Sequence, residues 1–375
     1  HFHTGLDQPT TILWHWLRIP AEMDGSPRIQ SPVEPGGDFT YRFVVPEAGS
    51  YWYHPHVRAH EQIEAGLYAP LVVWDDRDPA YDVERYVMLD DILLDATGQR
   101  AKPFANAQDA MFGRYGDRLF TNGRTGTLVA EATSGAVERW RLVNAANART
   151  MRVKVEGARV RVIGTDGGLL PEPYAFEELT IAVGQRFDLE VTYDAAGTVK
   201  LSSFFAESEK WRSILQVDVA ESELSPREIP WPEVVLPDRA SDESASIVID
   251  AVNGGEHGVQ WRLNGEVHPE DPLFTFPEGR VVTITIDNTI GPEHPFHLHG
   301  QFFRVLGDAK QPGLKDTVLV PGFTKVKIRA YFDNPGRWMA HCHILEHSEL
   351  GMMSEIVVTP ADGSDVGAPV GGHGH

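Results

Sequence analysis

Cysteine and long apolar runs are both scarce in this 375-residue chain. A single cysteine, Cys342, excludes a disulfide within the chain, but a lone thiol remains available as a metal ligand even in an oxidising compartment. The apolar runs are far shorter than the roughly 20 residues that a membrane-spanning helix needs. No basic-then-apolar leader is present, and the start at His1 is compatible with a leader that is missing from this sequence. We therefore expect no membrane insertion.

Positive charge is also in short supply. The chain has 33 lysines and arginines against 54 aspartates and glutamates, which gives a formal net charge of −21. Such a surface repels phosphate backbones, so nucleic acid is not an expected partner. The acidic surface mainly favours solubility.

The sequence is rich in short alternating segments that turn residues separate. Stretches such as DFTYRFVV, MRVKVEG and VVTITIDNT alternate polar and apolar positions, and 35 glycines and 26 prolines punctuate the chain. This pattern predicts an all-β protein built from sandwiches. We predict units over residues 1–77, 78–232 and 233–360, followed by a disordered Gly/His tail over 361–375.

Histidines occur in pairs separated by one residue. Side chains at positions i and i+2 of a strand face the same side, so each pair presents two imidazoles together. These three pairs, which are predicted to surround a shared metal cluster, are His54/His56, His297/His299 and His341/His343. By contrast, five isolated histidines are expected to be ordinary solvated or core side chains, namely His1, His3, His60, His257 and His268.

Cys342 lies between His341 and His343 and must face the opposite side of its strand. There it is expected to meet His294 and His347, with Met352 nearby. Two histidines, one cysteine and a weak methionine form the ligand set of a blue-copper site. The cysteine would then connect this site to the cluster through its two histidine neighbours.

The motifs YWYHPH, HPFHLHG and HCHILEHSELGMM resemble three of the four copper motifs of the multicopper oxidases, the family of laccases and cuprous oxidases. The segments TTILWHWLRIPAEMDG and RWRLVNAANART resemble first- and second-domain segments of bacterial three-domain laccases, so the resemblance covers nearly the whole chain. It implies three cupredoxin-like Greek-key β-sandwich domains, with a type 1 copper in the third and a trinuclear cluster between the first and third. By position, the resemblance assigns copper ligands as follows: His294, Cys342, His347 and axial Met352 to type 1; His15, His54, His56, His299, His341 and His343 to the type 3 pair; and His297 to type 2.

The first motif departs from the family pattern His-Trp-His-Gly. Here it reads Leu13-Trp14-His15-Trp16, so leucine stands where the resemblance expects the second type 2 ligand. Because leucine cannot bind copper, we expect weak type 2 occupancy, and we expect Trp16 to add bulk beside the cluster. Few residues precede this motif, so the first domain is expected to be N-terminally shortened and incomplete.

The resemblance implies an oxidase that removes single electrons from phenolic or similar small donors and reduces dioxygen to water. Leu13 and Trp16 support an alternative, an electron-transfer or copper-binding protein with weak oxidase activity. A cuprous-ion oxidase is a further alternative, although the seven methionines are scattered rather than clustered.

Asp24 occupies a position like that of the family's acidic residue near the cluster and is a candidate proton relay. Many relatives carry glutamate directly after the last type 1 histidine, whereas this chain has Ser348 and then Glu349. The family resemblance also implies a periplasmic or secreted protein. The identity of the donor and the oligomeric state have no signal in the sequence.

Overall fold

A computed structural model describes residues 1–308 and 311–369. Within them it contains three short α-helices, none with the length and apolar character required to cross a bilayer. The helices are α1 (Ala59–Gln62), α2 (Ala107–Phe112) and α3 (Leu345–Glu349), and two 3-10 turns lie at Ala21–Met23 and Ala206–Ser208.

Strands make up most of the fold, and every sheet of the described residues draws its strands from one of the three predicted units. The first unit forms a three-stranded sheet, in the order β2-β4-β5, and a two-stranded sheet of β1 and β3. Its strands are β1 (Phe2–His3), β2 (Leu13–His15), β3 (Asp38–Phe39), β4 (Gly49–His54) and β5 (Ala69–Val73).

The second unit is a sandwich of a seven-stranded and a five-stranded sheet. Its core mixes residues from both sheets, including Leu142 and Phe187 from one and Ile181 and Leu201 from the other. Its strands are β6 (Val83–Ile92), β7 (Arg118–Thr121), β8 (Arg124–Thr125), β9 (Leu128–Thr133), β10 (Val137–Asn144), β11 (Met151–Glu156), β12 (Arg159–Thr165), β13 (Gly168–Ala175), β14 (Leu179–Ile181), β15 (Arg186–Thr192), β16 (Gly197–Phe205) and β17 (Lys210–Ala220).

The third unit is a sandwich of two five-stranded sheets. As in the second unit, each sheet contains one parallel strand pair, here β18 with β21 and β20 with β27. Its strands are β18 (Glu243–Asn253), β19 (Val259–Leu263), β20 (Phe274–Pro277), β21 (Arg280–Asn288), β22 (His294–Leu298), β23 (Phe302–Leu306), β24 (Thr317–Val320), β25 (Lys325–Phe332), β26 (Gly336–Cys342) and β27 (Met353–Thr359).

The end of the chain is only partly described. Residues 361–369 form no helix or strand, and residues 370–375 lie outside the described residues. The disordered tail therefore stays a prediction.

Helix α2 belongs to the second unit but packs on the third. Asn106 begins the helix by accepting hydrogen bonds from the backbone N–H groups of Gln108 and Asp109, an arrangement that satisfies otherwise free donors. Ala110 is fully buried in the core of the third unit, and its carbonyl accepts a hydrogen bond from the Trp261 indole at 3.0 Å. This contact brings the segment around α2 over the end of the third sandwich that carries Cys342.

Trp16 fills the junction between the first and third units. Its indole N–H donates to the Gln301 carbonyl at 3.0 Å, and its ring contacts Tyr51 and Phe302. The side chain is 3% exposed and packs in an apolar cluster rather than against a histidine, so the expected bulk beside the metal cluster is directed elsewhere. The backbone φ of 70° is unusual for a bulky residue, which explains why glycine suits this position in the family motif.

Truncation of Trp16 is expected to weaken the junction strongly. Trp16→Ala should lower the free energy of unfolding by about 3–5 kcal/mol, the usual cost of emptying a buried aromatic site. Thermal unfolding measured by circular dichroism checks this value. Trp74→Ala is the matched control, because Trp74 is 62% exposed and should change stability little. Equal melting temperatures for the two variants would contradict the assigned role of Trp16.

Candidate metal centres

Cys342 and two histidines form a buried group at the end of β26. Strands β22 and β26 are antiparallel neighbours that place Phe296 opposite Cys342 and His297 opposite His341. The Cys342 sulfur lies 3.5 Å from Nδ1 of His294 and 3.7 Å from Nδ1 of His347, and those two nitrogens are 3.1 Å apart. All three side chains have 0% exposure. One cysteine and two imidazoles that converge in this way fit a blue-copper site.

The backbone of Met352 is hydrogen-bonded to two residues of this group. Its N–H donates to the His347 carbonyl at 3.0 Å, and its own carbonyl accepts from the Cys342 N–H at 3.1 Å. Its side chain is fully buried in the same core. The structure therefore brings together all four residues that the sequence assigns to the type 1 site.

The outer nitrogens and the protonation of this group favour metal binding. His347 Nε2 donates to the Met111 carbonyl at 3.2 Å, so the lone pair of a neutral ring lies on Nδ1, which faces the sulfur. Burial lowers the pKa of His294 to about 3 and that of His347 well below its usual value, so both rings are neutral. Burial raises the pKa of the Cys342 thiol, because a buried thiolate loses its hydration. A cation beside the sulfur would compensate for that loss.

On the opposite side, six histidines form two groups of three. The ligand atoms within each group all lie within 4.8 Å of one another, and every ring is at most 6% exposed. The groups, called here the β2 triad and the β22 triad, are His15, His54 and His343 in the first and His56, His299 and His341 in the second.

Hydrogen bonds orient several of these rings toward the centre of each triad. His54 Nδ1 donates to the Pro55 carbonyl at 2.9 Å, and His341 Nδ1 donates to the Cys342 carbonyl at 2.8 Å, so the Nε2 lone pairs face inward. In the β22 triad, Nε2 of His299 lies 3.1 Å from Nε2 of His341. In the β2 triad, Nδ1 of His15 lies 3.3 Å from Nε2 of His54. Three converging neutral imidazoles in each triad fit one copper each.

His297 lies beside the β2 triad and, with His15 and Asp316, forms a further group whose ligand atoms all lie within 4.8 Å of one another. Its ring stacks on His15 with centroids 4.1 Å apart, and its Nδ1 donates to the Asp316 carbonyl at 3.1 Å. Nε2 is buried without a hydrogen-bond partner among the described residues, which fits a metal ligand. Leu13, the residue at the expected partner position, is 1% exposed and pairs with His54 across β2 and β4. Among the described residues, the remaining groups therefore fit the type 1 site and the type 3 pair, and the imidazole grouped with His297, that of His15, is shared with the β2 triad.

Asp24 contacts the β22 triad. Its Oδ2 lies 2.9 Å from Nδ1 of His299, which fixes that ring with Nε2 toward His341. Burial raises the pKa of Asp24 to about 7. The following residue, Gly25, has φ +85°, and a Cβ there would lie 1.9 Å from the Ile12 carbonyl. This glycine thus lets the Asp24 turn pack directly against the start of β2.

A buried ion pair of Asp316 and Arg186 lies next to the β2 triad. No sequence motif indicates this pair. Asp316 Oδ2 lies 2.7 Å from Nη2 of Arg186 and 3.6 Å from Nε2 of His15, all with 0% side-chain exposure. Burial opposes the charged form of Asp316, but the charge of Arg186 and the neighbouring His15 outweigh it and hold the pKa of Asp316 well below its usual value. Asp316 is therefore a fixed anion that orients His15. Arg186 and Asp316 come from different units, so their pairing depends on tertiary contacts.

Ser348 and Glu349 have hydrogen-bond partners outside both triads. Ser348 Oγ donates back to the Leu345 carbonyl at 3.0 Å, within α3. Glu349 Oε2 instead lies 3.0 Å from Nδ1 of His60, in the first unit. A second proton relay at Ser348 is therefore not supported by the contacts of the described residues.

The comparisons with known proteins agree with this geometry. Family profiles described as "Multicopper oxidase" match residues 1–78, 84–207 and 242–362. Multicopper oxidase MmcO of Mycobacterium tuberculosis is 30% identical over 94% of this chain and 77% of its own length.

Two solved structures share the fold. A multi-copper oxidase from Pseudomonas thermotolerans superposes with a TM-score of 0.84 at 29% identity, over 96% of this chain and 88% of the other. A laccase-like multi-copper oxidase from Ochrobactrum sp., with oxidase activity towards lignin model compounds, has a TM-score of 0.83 at 25% identity, over 95% and 87% of the two chains. The predicted all-β fold of cupredoxin-like domains is confirmed. The chain belongs to the multicopper oxidases, copper-dependent enzymes that couple the oxidation of a donor to the reduction of dioxygen.

Proposed function

We propose that this chain is a laccase-like oxidase that takes single electrons from phenolic or similar donors at the Cys342 site and reduces dioxygen to water at the two triads. The alternation along β26 is the observation that carries this proposal. Cys342 points to His294 and His347, while His341 and His343 each contribute to one triad. Copper bound at these groups would supply the one-electron redox chemistry that side chains lack.

The protein's own part is to connect and orient the two sites. Cys342 is covalently joined to His341 and to His343, and the Cys342 carbonyl also accepts a hydrogen bond from His341. Each triad therefore has a short covalent path to the same sulfur. A small-molecule donor and dioxygen are the partners, and the family resemblance supports a periplasmic or secreted location.

A weaker oxidase is the second candidate, because of Leu13. The imidazole grouped with His297 is that of His15, which also belongs to the β2 triad, so we infer low type 2 occupancy and slower reduction of dioxygen. Copper analysis, visible absorption and electron paramagnetic resonance on the loaded protein, followed by oxygen uptake with a phenol, test both candidates. Blue absorption with oxygen uptake supports the oxidase. Blue absorption without oxygen uptake supports the electron-transfer or copper-binding alternative.

We further propose that Asp24 relays protons to the β22 triad through His299. Asp24→Asn keeps a hydrogen-bond acceptor but removes the carboxylate, so oxygen uptake should fall about 100-fold, the usual scale of a lost acid–base group. Copper content and blue absorption should be unchanged.

Asp38→Asn is the matched control, because Asp38 is exposed in the same unit and forms an ion pair with the exposed His3. Full oxygen uptake in Asp24→Asn would show that Asp24 only orients His299.

A further inference from the structure

Three histidines that looked incidental in the sequence line one surface cavity of about 720 Å³ beside α3. This cavity, called here the His60 cavity, is bounded by His60, His257, His268, Phe104, Glu349 and Leu350. Its walls combine apolar side chains with a larger number of charged and polar ones. No copper ligand assigned above lines it.

The His60 cavity adjoins the type 1 site. Glu349 is the last residue of α3 and comes two residues after His347, so it is only about 3 Å beyond His347 along the helix axis. Leu350 is the next residue of the chain. The opposite wall includes Val259 and Gln260, and the next residue, Trp261, packs its buried ring 4.1 Å from His347 and 4.9 Å from His294. A molecule in the cavity would thus contact residues directly connected to the type 1 ligands.

Direct approach to the edge of His347 is blocked. The ring has 0% exposure, and its outer nitrogen is occupied by the Met111 carbonyl. Helix α2 holds that carbonyl in place, because the neighbouring Ala110 is buried in the third unit and accepts from Trp261. A donor must therefore bind at some distance from the His347 ring, and the His60 cavity lies next to the helix that carries this ring.

Within the cavity, His60 and Glu349 form a dyad. His60 is 8% exposed, and its Nδ1 lies 3.0 Å from Glu349 Oε2. A neutral imidazole that donates from Nδ1 to a carboxylate carries its lone pair on Nε2, and Nε2 of His60 lies 3.9 Å from Glu61 Oε1. General bases are recognised by this arrangement, in which a third group orients the ring.

The other charged groups favour a neutral aromatic donor over a metal ion. Glu61 forms an ion pair with Arg58 at 2.7 Å, and Glu349 contacts His60. Two carboxylates that could bind a metal ion therefore already have partners. Lys102 and Glu256 are exposed at the rim. Phe104 and His257 stack with centroids 4.2 Å apart and offer a flat wall.

Backbone strain also concentrates here. Among the described residues, eight that are not glycine have positive φ, and three of them line this cavity: Arg58 (45°), Phe104 (53°) and His268 (46°). Such conformations cost energy and persist where the surrounding structure enforces them, often at functional sites.

We propose that the His60 cavity binds the phenolic donor and that His60, backed by Glu349, accepts the phenolic proton. Oxidation breaks the O–H bond: the proton passes to Nε2 of His60, one electron leaves for the type 1 site, and a phenoxyl radical remains. Dioxygen, the oxidant of the established reaction, is the final electron acceptor. This proposal rests on the proposed oxidase function and adds the place and the base of the first step.

The test compares donors with and without a proton to lose. His60→Gln should lower kcat/KM for 2,6-dimethoxyphenol by about 100-fold, since a general base contributes on that scale. Hexacyanoferrate(II), which releases an electron but no proton, should be affected far less. The solvent isotope effect on phenol oxidation should change in His60→Gln, a result that a purely structural role would not produce.

Glu349→Gln and Glu256→Gln form a matched pair, because each removes one negative charge from the same cavity but only Glu349 contacts His60. Glu349→Gln should slow phenol oxidation, whereas Glu256→Gln should change it little. Blue absorption is recorded for every variant to confirm an intact type 1 site.

Binding gives a readout without turnover. In the fully reduced, copper-loaded and oxygen-free protein, calorimetric titration with 2,6-dimethoxyphenol should show saturable binding that His60→Gln weakens.

Unchanged phenol kinetics in His60→Gln, or equal losses with both donors, would overturn the proposal. So would selective loss of ferrous-ion oxidation, which would identify a metal-ion site. Failure of the wild-type protein to oxidise any donor would instead reject the oxidase function itself.

Discussion

Replacing Cys342 with serine is expected to abolish both the blue absorption and donor oxidation. The thiolate is the ligand that gives a blue-copper site its character, and a serine hydroxyl does not reproduce it. Cys342 is also the residue that joins the type 1 group to His341 and His343, so its loss removes the ligand and the connection together. Oxygen uptake with any donor should fall to background.

The six triad histidines should remain intact in Cys342→Ser. In the described part of the chain, the sulfur lies against His294 and His347 rather than against a triad histidine. Copper analysis should therefore show the loss of about one copper per chain, as expected for a single mononuclear site. Met352→Leu is the matched control, because it removes only the weak axial ligand and should keep the blue absorption. Persistent blue absorption in Cys342→Ser would contradict the assignment.

The second large effect is expected from Leu13→His, which should raise the copper content and the rate of oxygen uptake. Position 13 lies two residues before His15 and therefore on the same face of β2, and His297 stacks on His15. A histidine at position 13 would give His297 an imidazole partner that is not already part of a triad. We expect about one additional copper per chain, a type 2 resonance signal and faster oxygen uptake.

Leu13→Asn controls for polarity. Asparagine is close to leucine in size and polar, but it is a poor copper ligand, so it should lower stability without adding copper. If the wild-type protein already contains a type 2 signal, another ligand must supplement His297, and Leu13→His should then add nothing.

The histidines and the cysteine that the sequence groups as copper ligands lie together in the structure, because their grouping depends on local geometry. Alternation along a strand determines that His341 and His343 share a face and that Cys342 faces away, whatever the rest of the fold does. These groupings need only the strand assignment and the spacing. Leu13, by contrast, is identified as a missing ligand position through the resemblance to the family's first motif.

Features that depend on contacts between distant segments were not predicted. The pairing of Arg186 with Asp316 joins two units, and no spacing indicates it. His60, His257 and His268 lie in three separate stretches of the chain, so only the folded structure shows that they share a cavity. Trp16 was predicted to crowd the cluster, because the sequence does not reveal the apolar junction that receives its side chain.

The composition of the triads has a consequence for how the protein matures. His15, His54 and His56 come from the first unit, whereas His299, His341 and His343 come from the third, and each triad draws on both. A copper ion in either triad is therefore a cross-link between the two ends of the chain. Because ligands that bind only the folded state stabilise it, copper should act here as a structural clamp as well as a redox centre. A chain made under copper starvation would then lack the clamp at the very interface where dioxygen is reduced, and copper supply during folding would decide how much closed enzyme accumulates.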